Sequence, residues 1–316
     1  MPQITNPFMA TSGIQRNPAF KNKGKFFTLS QFLDFAKAKA VAGVMINIQH
    51  ASYLAAKKGL DIIEIVTNSL KNATLENQRV FIRSDDTSVL SNFQKIPNYT
   101  RVLTVDTKIG DAPMKPLEEI RHHAQAVAIP RASVIKITNY FTTGVTKVVK
   151  EMQAANLTVF VFVMRNEYVS LAYDFFSEST MEIATYVDLF HVDGVITEFP
   201  KSASRYITCP CRTNLPRNDS YSIMPPEIGS LLDLVPEYAQ PPADAPFPPL
   251  NVGDIVDPPL PPVSKNATNG GSSKVGGPAT GTSSPALSNH LPNLFLSLFC
   301  IFMLTLTLLS NSHSAL

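Results

Sequence analysis

The run Val159-Phe-Val-Phe-Val163 contains five apolar side chains in succession and no polar residue. A strand with one face in water alternates apolar and polar residues, whereas a continuous apolar run is typical of a strand buried on both faces. Similar short runs occur at residues 44–48, 80–83, 101–105, 126–129 and 194–197. The sequence therefore predicts six strands of a parallel sheet covered by helices.

Segments with helical periodicity fill the gaps between these runs. Thr28-Leu-Ser-Gln31 has the form of a capping box and predicts a helix over residues 32–40. Further helices are expected near residues 60–70, 89–94, 117–123, 145–155 and 181–189. Strands that alternate with helices predict an α/β fold. Because a closed barrel of this type has eight strands, we expect an incomplete (βα)8 TIM barrel with about six of them.

The chain changes character after residue 200. Residues 225–235 can still pack on the domain, but residues 241–249 and 257–262 hold too much proline for an interior helix or strand, and predict an extended spacer. We therefore expect a partial barrel domain at residues 1–235, a disordered Pro/Gly/Ser-rich stalk at 236–289 and a hydrophobic tail at 290–316.

The tail has the features of a glycosylphosphatidylinositol anchor signal. Residues 291–309 are mostly apolar, and no Lys, Arg, Asp or Glu follows them. Such a signal combines small residues, a polar spacer and a hydrophobic end. Ala279 fits the spacing best as the attachment residue, with Gly271 as the alternative. A retained C-terminal membrane helix is the other interpretation.

The N-terminus does not match this tail, because residues 1–10 lack the basic start and apolar run of a secretory signal peptide. We expect the chain to be the C-terminal part of a longer secreted protein or an incomplete gene model, held on the extracellular face of the plasma membrane. An intracellular tail-anchored protein is the alternative.

Two weaker features also point to secretion. Five Asn-x-Ser/Thr sites, at Asn72, Asn98, Asn156, Asn218 and Asn266, fit the rule for glycosylation. Cys209 and Cys211 are too close for an unstrained disulfide, so we expect one of them to pair with a cysteine outside this chain.

A net charge of +2 without a basic cluster argues against nucleic-acid binding.

The segment Val192-Asp-Gly-Val-Ile-Thr-Glu-Phe-Pro200 resembles the last barrel strand of glycerophosphodiester phosphodiesterases. With residues 202–206, Asn166-Glu-Tyr, residues 173–176 and the Pro-rich end, the chain is similar to the second, C-terminal domain of the plant two-domain, lipid-anchored type. The resemblance implies a TIM barrel that hydrolyses glycerophosphodiesters to an alcohol and glycerol 3-phosphate. The six runs would then be barrel strands three to eight.

The resemblance also implies a divalent metal, Ca²⁺ or Mg²⁺, held by acidic ligands, and a His pair that transfers protons. In the family these groups come mainly from segments upstream of the first residue of this chain. One acidic position falls inside it, in Asn47-Ile-Gln49-His50-Ala, where Gln49 replaces the carboxylate. Because a neutral amide brings no charge to a hard cation, we expect metal binding by this chain to be weak. We assign no catalytic or metal-binding residue to it.

Five side chains remain as candidate ligand contacts at the barrel mouth: Gln49, His50, Arg165, Glu167 and Glu198. A loop role for His50, and surface salt-bridge roles for the last three, are the alternatives. Three other polar groups have simpler explanations. Asp85-Asp86 predicts a helix N-cap, and His122 and His123 fit the C-terminal end of a helix dipole.

The sequence therefore predicts a cell-surface member of the phosphodiesterase family that is inactive as this chain alone. A non-catalytic module that binds wall polysaccharide or another protein is the alternative. The expected partners are a glycerophosphodiester or a wall polysaccharide, and a membrane through the lipid anchor.

Overall fold

The computed structural model describes residues 13, 15, 17–20, 27–75, 77–96, 98–209 and 223–264. Within them a curled six-stranded parallel sheet has the order β1-β2-β3-β4-β7-β8. Its strands are β1 (Gly43–Asn47), β2 (Arg79–Ser84), β3 (Tyr99–Thr104), β4 (Ala126–Pro130), β7 (Thr158–Met164) and β8 (Gly194–Thr197). Each predicted run is a strand in this sheet, so the expected incomplete barrel is confirmed.

A hairpin that the sequence did not reveal lies between β4 and β7. Its antiparallel strands are β5 (Ile135–Thr138) and β6 (Phe141–Val145), with a β-bulge between Lys136 and Ile137. The turn residues Asn139 and Tyr140 have φ values of 47° and 68°. A two-residue turn of this kind usually carries glycine. Because no glycine marks the turn here, the hairpin gave no clear signal.

Helices cover the outer face of the sheet. They are α1 (Leu29–Ala38), α2 (Ala51–Lys58), α3 (Ile62–Ala73), α4 (Thr87–Asn92), α5 (Met114–His123), α6 (Val148–Ala154), α7 (Ser179–Ala184) and α8 (Pro200–Ile207). The predicted capping box is present, because Thr28 accepts a hydrogen bond from the Gln31 N–H and Gln31 accepts one from Thr28. The sequence did not predict α2 and α8, which are short.

The two faces of the sheet have different surroundings. On the outer face, side chains such as Ile82, Leu103 and Val161 are fully buried against the helices. The inner face carries the buried Val102, Ala126 and Ala128, packed with half-buried residues: Met45, Phe81, Phe160, Phe162 and Ile196. The inner face is therefore apolar but only partly covered by the described residues. Its two outermost strands are β1 and β8.

The proline-rich segment up to Ser264 differs from the predicted spacer. Its prolines prevent a long helix or strand, and none forms. Leu250 and Ile255, however, are only 1% and 2% exposed and belong to the main core. The Leu250 N–H donates to the Asp111 carbonyl at 2.9 Å. Residues 236–264, which we call the strap, therefore lie on the barrel, and the stalk predicted from residue 236 does not begin there. Apolar residues among the prolines explain the difference.

A reciprocal contact fixes the strap to α4. The Thr87 N–H donates to the Asp257 carboxylate at 3.1 Å, and the Asp257 N–H donates to the Thr87 hydroxyl oxygen at 2.9 Å. Burial raises the pKa of Asp257, and the hydrogen bond from Thr87 opposes this shift. The strap thus makes polar as well as apolar contacts with the domain.

Several predicted features lie outside the described residues: Cys211, Asn218, Asn266, Gly271, Ala279 and the tail at residues 290–316. Cys209 is disulfide-bonded. Asn72, Asn98 and Asn156 are exposed, and their glycosylation stays a prediction. No helix of the described ranges is both long and apolar enough to span a bilayer.

Candidate functional site

The candidate site is the barrel mouth, where the parallel strands end. Because all six strands run in one direction, the residues that follow them meet at one rim. Polar side chains follow each of these six strands within three residues: Gln49 and His50 after β1, Asp85 after β2, Asp106 after β3, Arg131 after β4, Arg165 after β7 and Glu198 after β8.

Gln49 and His50 lie on one edge of the sheet. Both are exposed, and His50 is the N-cap of α2 with φ 56° and without a side-chain capping bond. Strand β1 is one outermost strand of the sheet and β8 is the other. These two residues therefore lie at the opposite edge of the sheet from Glu198.

Arg165 and Glu198 do meet. The Arg165 Nη2 donates to the Glu198 Oε1 at 3.1 Å, across neighbouring strands β7 and β8. The side chain of Arg165 is 18% exposed and that of Glu198 is 48% exposed, so the pair lies at the edge of solvent. The Arg165 Nε is buried and has no hydrogen-bond partner among the described residues. The partly exposed guanidinium of Arg165 therefore lies at the rim with one buried donor unpaired.

Glu167 differs from the other candidate contacts in its burial. It is only 8% exposed, and neither carboxylate oxygen has a hydrogen-bond partner in the described part of the chain. Its backbone carbonyl accepts hydrogen bonds from the N–H and hydroxyl of Ser170, at 2.9 and 2.8 Å. The residue thus shapes the loop after β7 through its backbone.

A second arginine at the mouth was not found from the sequence. The Arg131 Nη1 donates to Glu182 at 2.7 Å, and its Nη2 donates to the Ser170 carbonyl at 2.5 Å. The hydroxyl of Tyr186 donates to the Arg131 carbonyl at 2.9 Å. Arg131 directly follows an apolar strand, as Arg165 does. That shared position is the signal that would have identified it.

Glu182 lies behind Arg131 and has no solvent exposure. Burial raises the pKa of Glu182 to about 7, and the charge and hydrogen bond of Arg131 oppose this shift. One carboxylate oxygen has no hydrogen-bond partner among the described residues. The pair fixes the guanidinium of Arg131 at the mouth.

These arginines line a cavity of about 580 Å³. It lies between the ends of β4 and β7, the β5–β6 hairpin and the loop after β7. Three of its lining side chains are cationic: Lys108, Arg131 and Arg165. No Asp or Glu is among its described lining residues. We call this cavity the cationic pocket.

A further cation lies on the inner face near the pocket. The guanidinium of Arg83 stands 4.6 Å from the ring centroid of Phe162, which lines the pocket, and its Nε donates to Thr104 at 2.8 Å. Burial lowers the pKa of Arg83, while Asp106 and Asp85 oppose this shift. The ring and the hydroxyl hold this side chain against the sheet.

Two alternative assignments from the sequence agree with the structure. Asp86 is the N-cap of α4, and its carboxylate accepts from the N–H groups of Ser88 and Val89 at 2.8 and 3.3 Å. His122 and His123 lie in the last turn of α5, and the His123 ring is 3.3 Å from Glu119. These residues have structural roles on the outer face.

The residues at the mouth can be tested against the metal that the resemblance implies. Ca²⁺ and Mg²⁺ require several oxygen ligands, mostly carboxylates. Gln49 is neutral, Glu198 pairs with Arg165, and Glu182 is buried against Arg131. No three His, Cys, Asp or Glu side chains of the described ranges stand close enough to hold an ion. The described donor set therefore does not fit a divalent cation.

Comparison with known proteins places these features in a family. Residues 8–202 match the Glycerophosphoryl diester phosphodiesterase family. Two relatives from Arabidopsis thaliana, Glycerophosphodiester phosphodiesterase GDPDL6 and Glycerophosphodiester phosphodiesterase GDPDL7, are each 51% identical over 96% of this chain. Glycerophosphodiester phosphodiesterase GDPDL3 is 38% identical over 98%.

The chain spans about 40% of the length of each of these relatives. Both the matched region and the six-stranded barrel sheet agree with the resemblance seen in the sequence. The chain belongs to the glycerophosphoryl diester phosphodiesterase family.

Proposed function

We propose that this chain forms the substrate-binding side of a glycerophosphodiester phosphodiesterase-like protein, and that the cationic pocket receives the phosphodiester. The observation that carries the proposal is the position of Lys108, Arg131 and Arg165 around one cavity at the carboxyl ends of β4 and β7. Guanidinium groups bind phosphate oxygens through paired, charge-assisted hydrogen bonds. Arg165 lines the cavity with a side chain that is 18% exposed, so part of its guanidinium can contact the phosphate.

In this proposal, the chain by itself binds the diester but does not hydrolyse it. Gln49 occupies a position where the phosphodiesterase family has an acidic residue. The side chains of the described residues do not form a site for the divalent metal on which the family generally depends. Binding and hydrolysis are therefore separate properties, and each requires its own experiment.

The proposed location is the extracellular face of the plasma membrane, through a lipid anchor at Ala279 or Gly271. Its support is the sequence of the tail, and the exposed Asn72, Asn98 and Asn156 are available for glycosylation. Release of the protein from intact cells by a phosphatidylinositol-specific phospholipase tests this. Retention after treatment would favour a membrane helix.

Calorimetric titration of the whole chain with a glycerophosphodiester tests the binding proposal. We expect Arg165→Gln to weaken binding about tenfold, because it removes a charge-assisted hydrogen bond. Arg121→Gln is the matched control, since Arg121 is exposed in the last turn of α5, at the opposite end of the barrel. Absence of binding by the unmodified chain, or equal loss in both variants, would refute the proposal.

A non-catalytic surface module that binds wall polysaccharide or another protein is the second candidate function. The amide at Gln49 favours it, because a binding module needs no metal ligand there. Turnover assays of the whole chain with Ca²⁺ or Mg²⁺ address hydrolysis directly. Hydrolysis above the level of Arg165→Gln would exclude a purely binding role and contradict the proposed inactivity.

A further inference from the structure

The charge lining the cationic pocket is of one sign. Lys108, Arg131 and Arg165 face the cavity, while the carboxylates that pair with the two arginines, Glu182 and Glu198, are not among its lining residues. Lys108 is exposed and has no carboxylate within ion-pair distance in the described ranges. A ligand that enters the pocket therefore meets cations before it meets any acid.

Two phenylalanine rings beside the pocket, those of Phe162 and Phe247, are already in contact with cations of the protein. A quaternary ammonium group is normally bound against aromatic ring faces. Here Arg83 stands 4.6 Å from the centroid of Phe162. Lys108, which lines the pocket, and Lys136 stand 5.8 and 5.6 Å from the centroid of Phe247 in the strap. These rings stabilise cations that would repel a second positive charge.

The hairpin tip adds neutral polar groups to the same cavity. Asn139 and Tyr140 both line it, and both have left-handed backbone conformations. The Tyr140 carbonyl accepts from the Tyr173 N–H at 2.7 Å, and the two rings are 5.5 Å apart. A tyrosine with positive φ is uncommon and occurs more often at functional sites. An amide and a phenol bind hydroxyl groups well.

We propose that the cationic pocket takes the alcohol end of a glycerophosphodiester together with its phosphodiester group, and selects phosphorylated, anionic polyols over cationic alcohols such as choline. The cations of the pocket bind the added negative charge, and the hairpin tip binds hydroxyl groups. The inference rests on the proposed function, because it concerns the substrate of that same site.

Titration calorimetry of the whole chain with three diesters tests the selection: glycerophosphoinositol phosphate, glycerophosphoinositol and glycerophosphocholine. We expect affinity to fall in that order, with about a tenfold or larger difference between the first and the last. Lys108→Gln should reduce this difference, and Lys108→Glu should reduce it further. Lys71→Gln, an exposed lysine in the last turn of α3, should leave it unchanged.

The outcomes separate this inference from the proposed function. Equal affinity for the three diesters, or preference for the choline diester, overturns the head-group selection and leaves the proposed function standing. A preference that Lys108→Gln and Lys71→Gln reduce equally also overturns it, because the effect would then come from net charge. Failure of all three diesters to bind overturns the proposed function and the selection together.

Discussion

Glu182 is a fully buried carboxylate whose ionisation affects stability. Its pKa is raised by burial from an ordinary value of 4.5 to about 7 in the folded protein. An acid with a raised folded-state pKa holds its proton more tightly when folded. Its contribution to stability is therefore greatest below pH 4.5 and is lost as the pH rises to about 7.

We expect the unfolding free energy of the unmodified chain to fall, relative to that of Glu182→Gln, as the pH rises from 4.5 to about 7. The expected slope is about 1.4 kcal/mol per pH unit, and the total is about 3 kcal/mol. Urea denaturation of both proteins at the two ends of this range measures it. Parallel pH profiles would show that Glu182 stays ionised beside Arg131.

Gln49 leads to a prediction about metals. Because its amide is neutral and exposed, and no three His, Cys, Asp or Glu side chains of the described ranges are grouped closely enough to hold an ion, Ca²⁺ or Mg²⁺ should not raise the melting temperature of the chain. Differential scanning calorimetry with and without each ion provides the measurement. A clear rise with either ion would reveal a site that the described residues do not form.

The sequence predicted only part of the site, and there is a physical reason why the remaining contacts could not be predicted. Arg165 and Glu198 follow recognisable apolar strands, so their meeting at one rim could be predicted from the parallel sheet. The pairing of Arg131 with Glu182 could not, because these residues are far apart in the chain and only the folded loops bring them to 2.7 Å. Burial of Glu167 could not be predicted either, since it depends on contacts that form only in the folded chain.

At the scale of elements, the strap is the largest departure from the sequence prediction. Proline content correctly excluded long helices and strands, but it gave no information on whether the segment touches the barrel. The decisive contacts come from Leu250, Ile255 and the Asp257–Thr87 hydrogen bonds. Isolated apolar residues in a proline-rich segment are weak signals by themselves.

Leu250→Ala should lower the unfolding free energy by about 2–4 kcal/mol, because it empties a buried site in the core. Leu234→Ala is the matched control, since Leu234 is 78% exposed and should change stability by less than about 0.5 kcal/mol. Urea denaturation of both variants gives the comparison. If the two changes were equally small, the strap would not be packed on the barrel in solution.

At the scale of the whole molecule, the continuous apolar runs were sufficient to predict the architecture. All six strands of the sheet were predicted to within two residues at either end because parallel strands covered on both faces are continuously apolar. The hairpin was missed because its strands are short, bulged and joined without glycine. The sequence therefore predicts the layers of the fold better than the insertions that shape the site.

A second cavity, of about 520 Å³, is the competing location for ligand binding. It lies on the outer face, where α2 and α4 meet the end of the strap. Its lining includes Ser88, Ser91, His123 and Leu260, with no arginine or lysine among the described residues. A phosphodiester should prefer the cationic pocket, because only there do cations line the cavity.

Hydrogen–deuterium exchange of the whole chain, with and without a saturating glycerophosphodiester, tests this central claim most directly. We expect slower exchange in residues 131–140 and 165–171, which form the walls of the cationic pocket. Residues 88–92 and 259–263, beside the outer cavity, should exchange at the same rate in both conditions. Protection confined to the outer cavity, or no protection anywhere, would contradict binding at the barrel mouth.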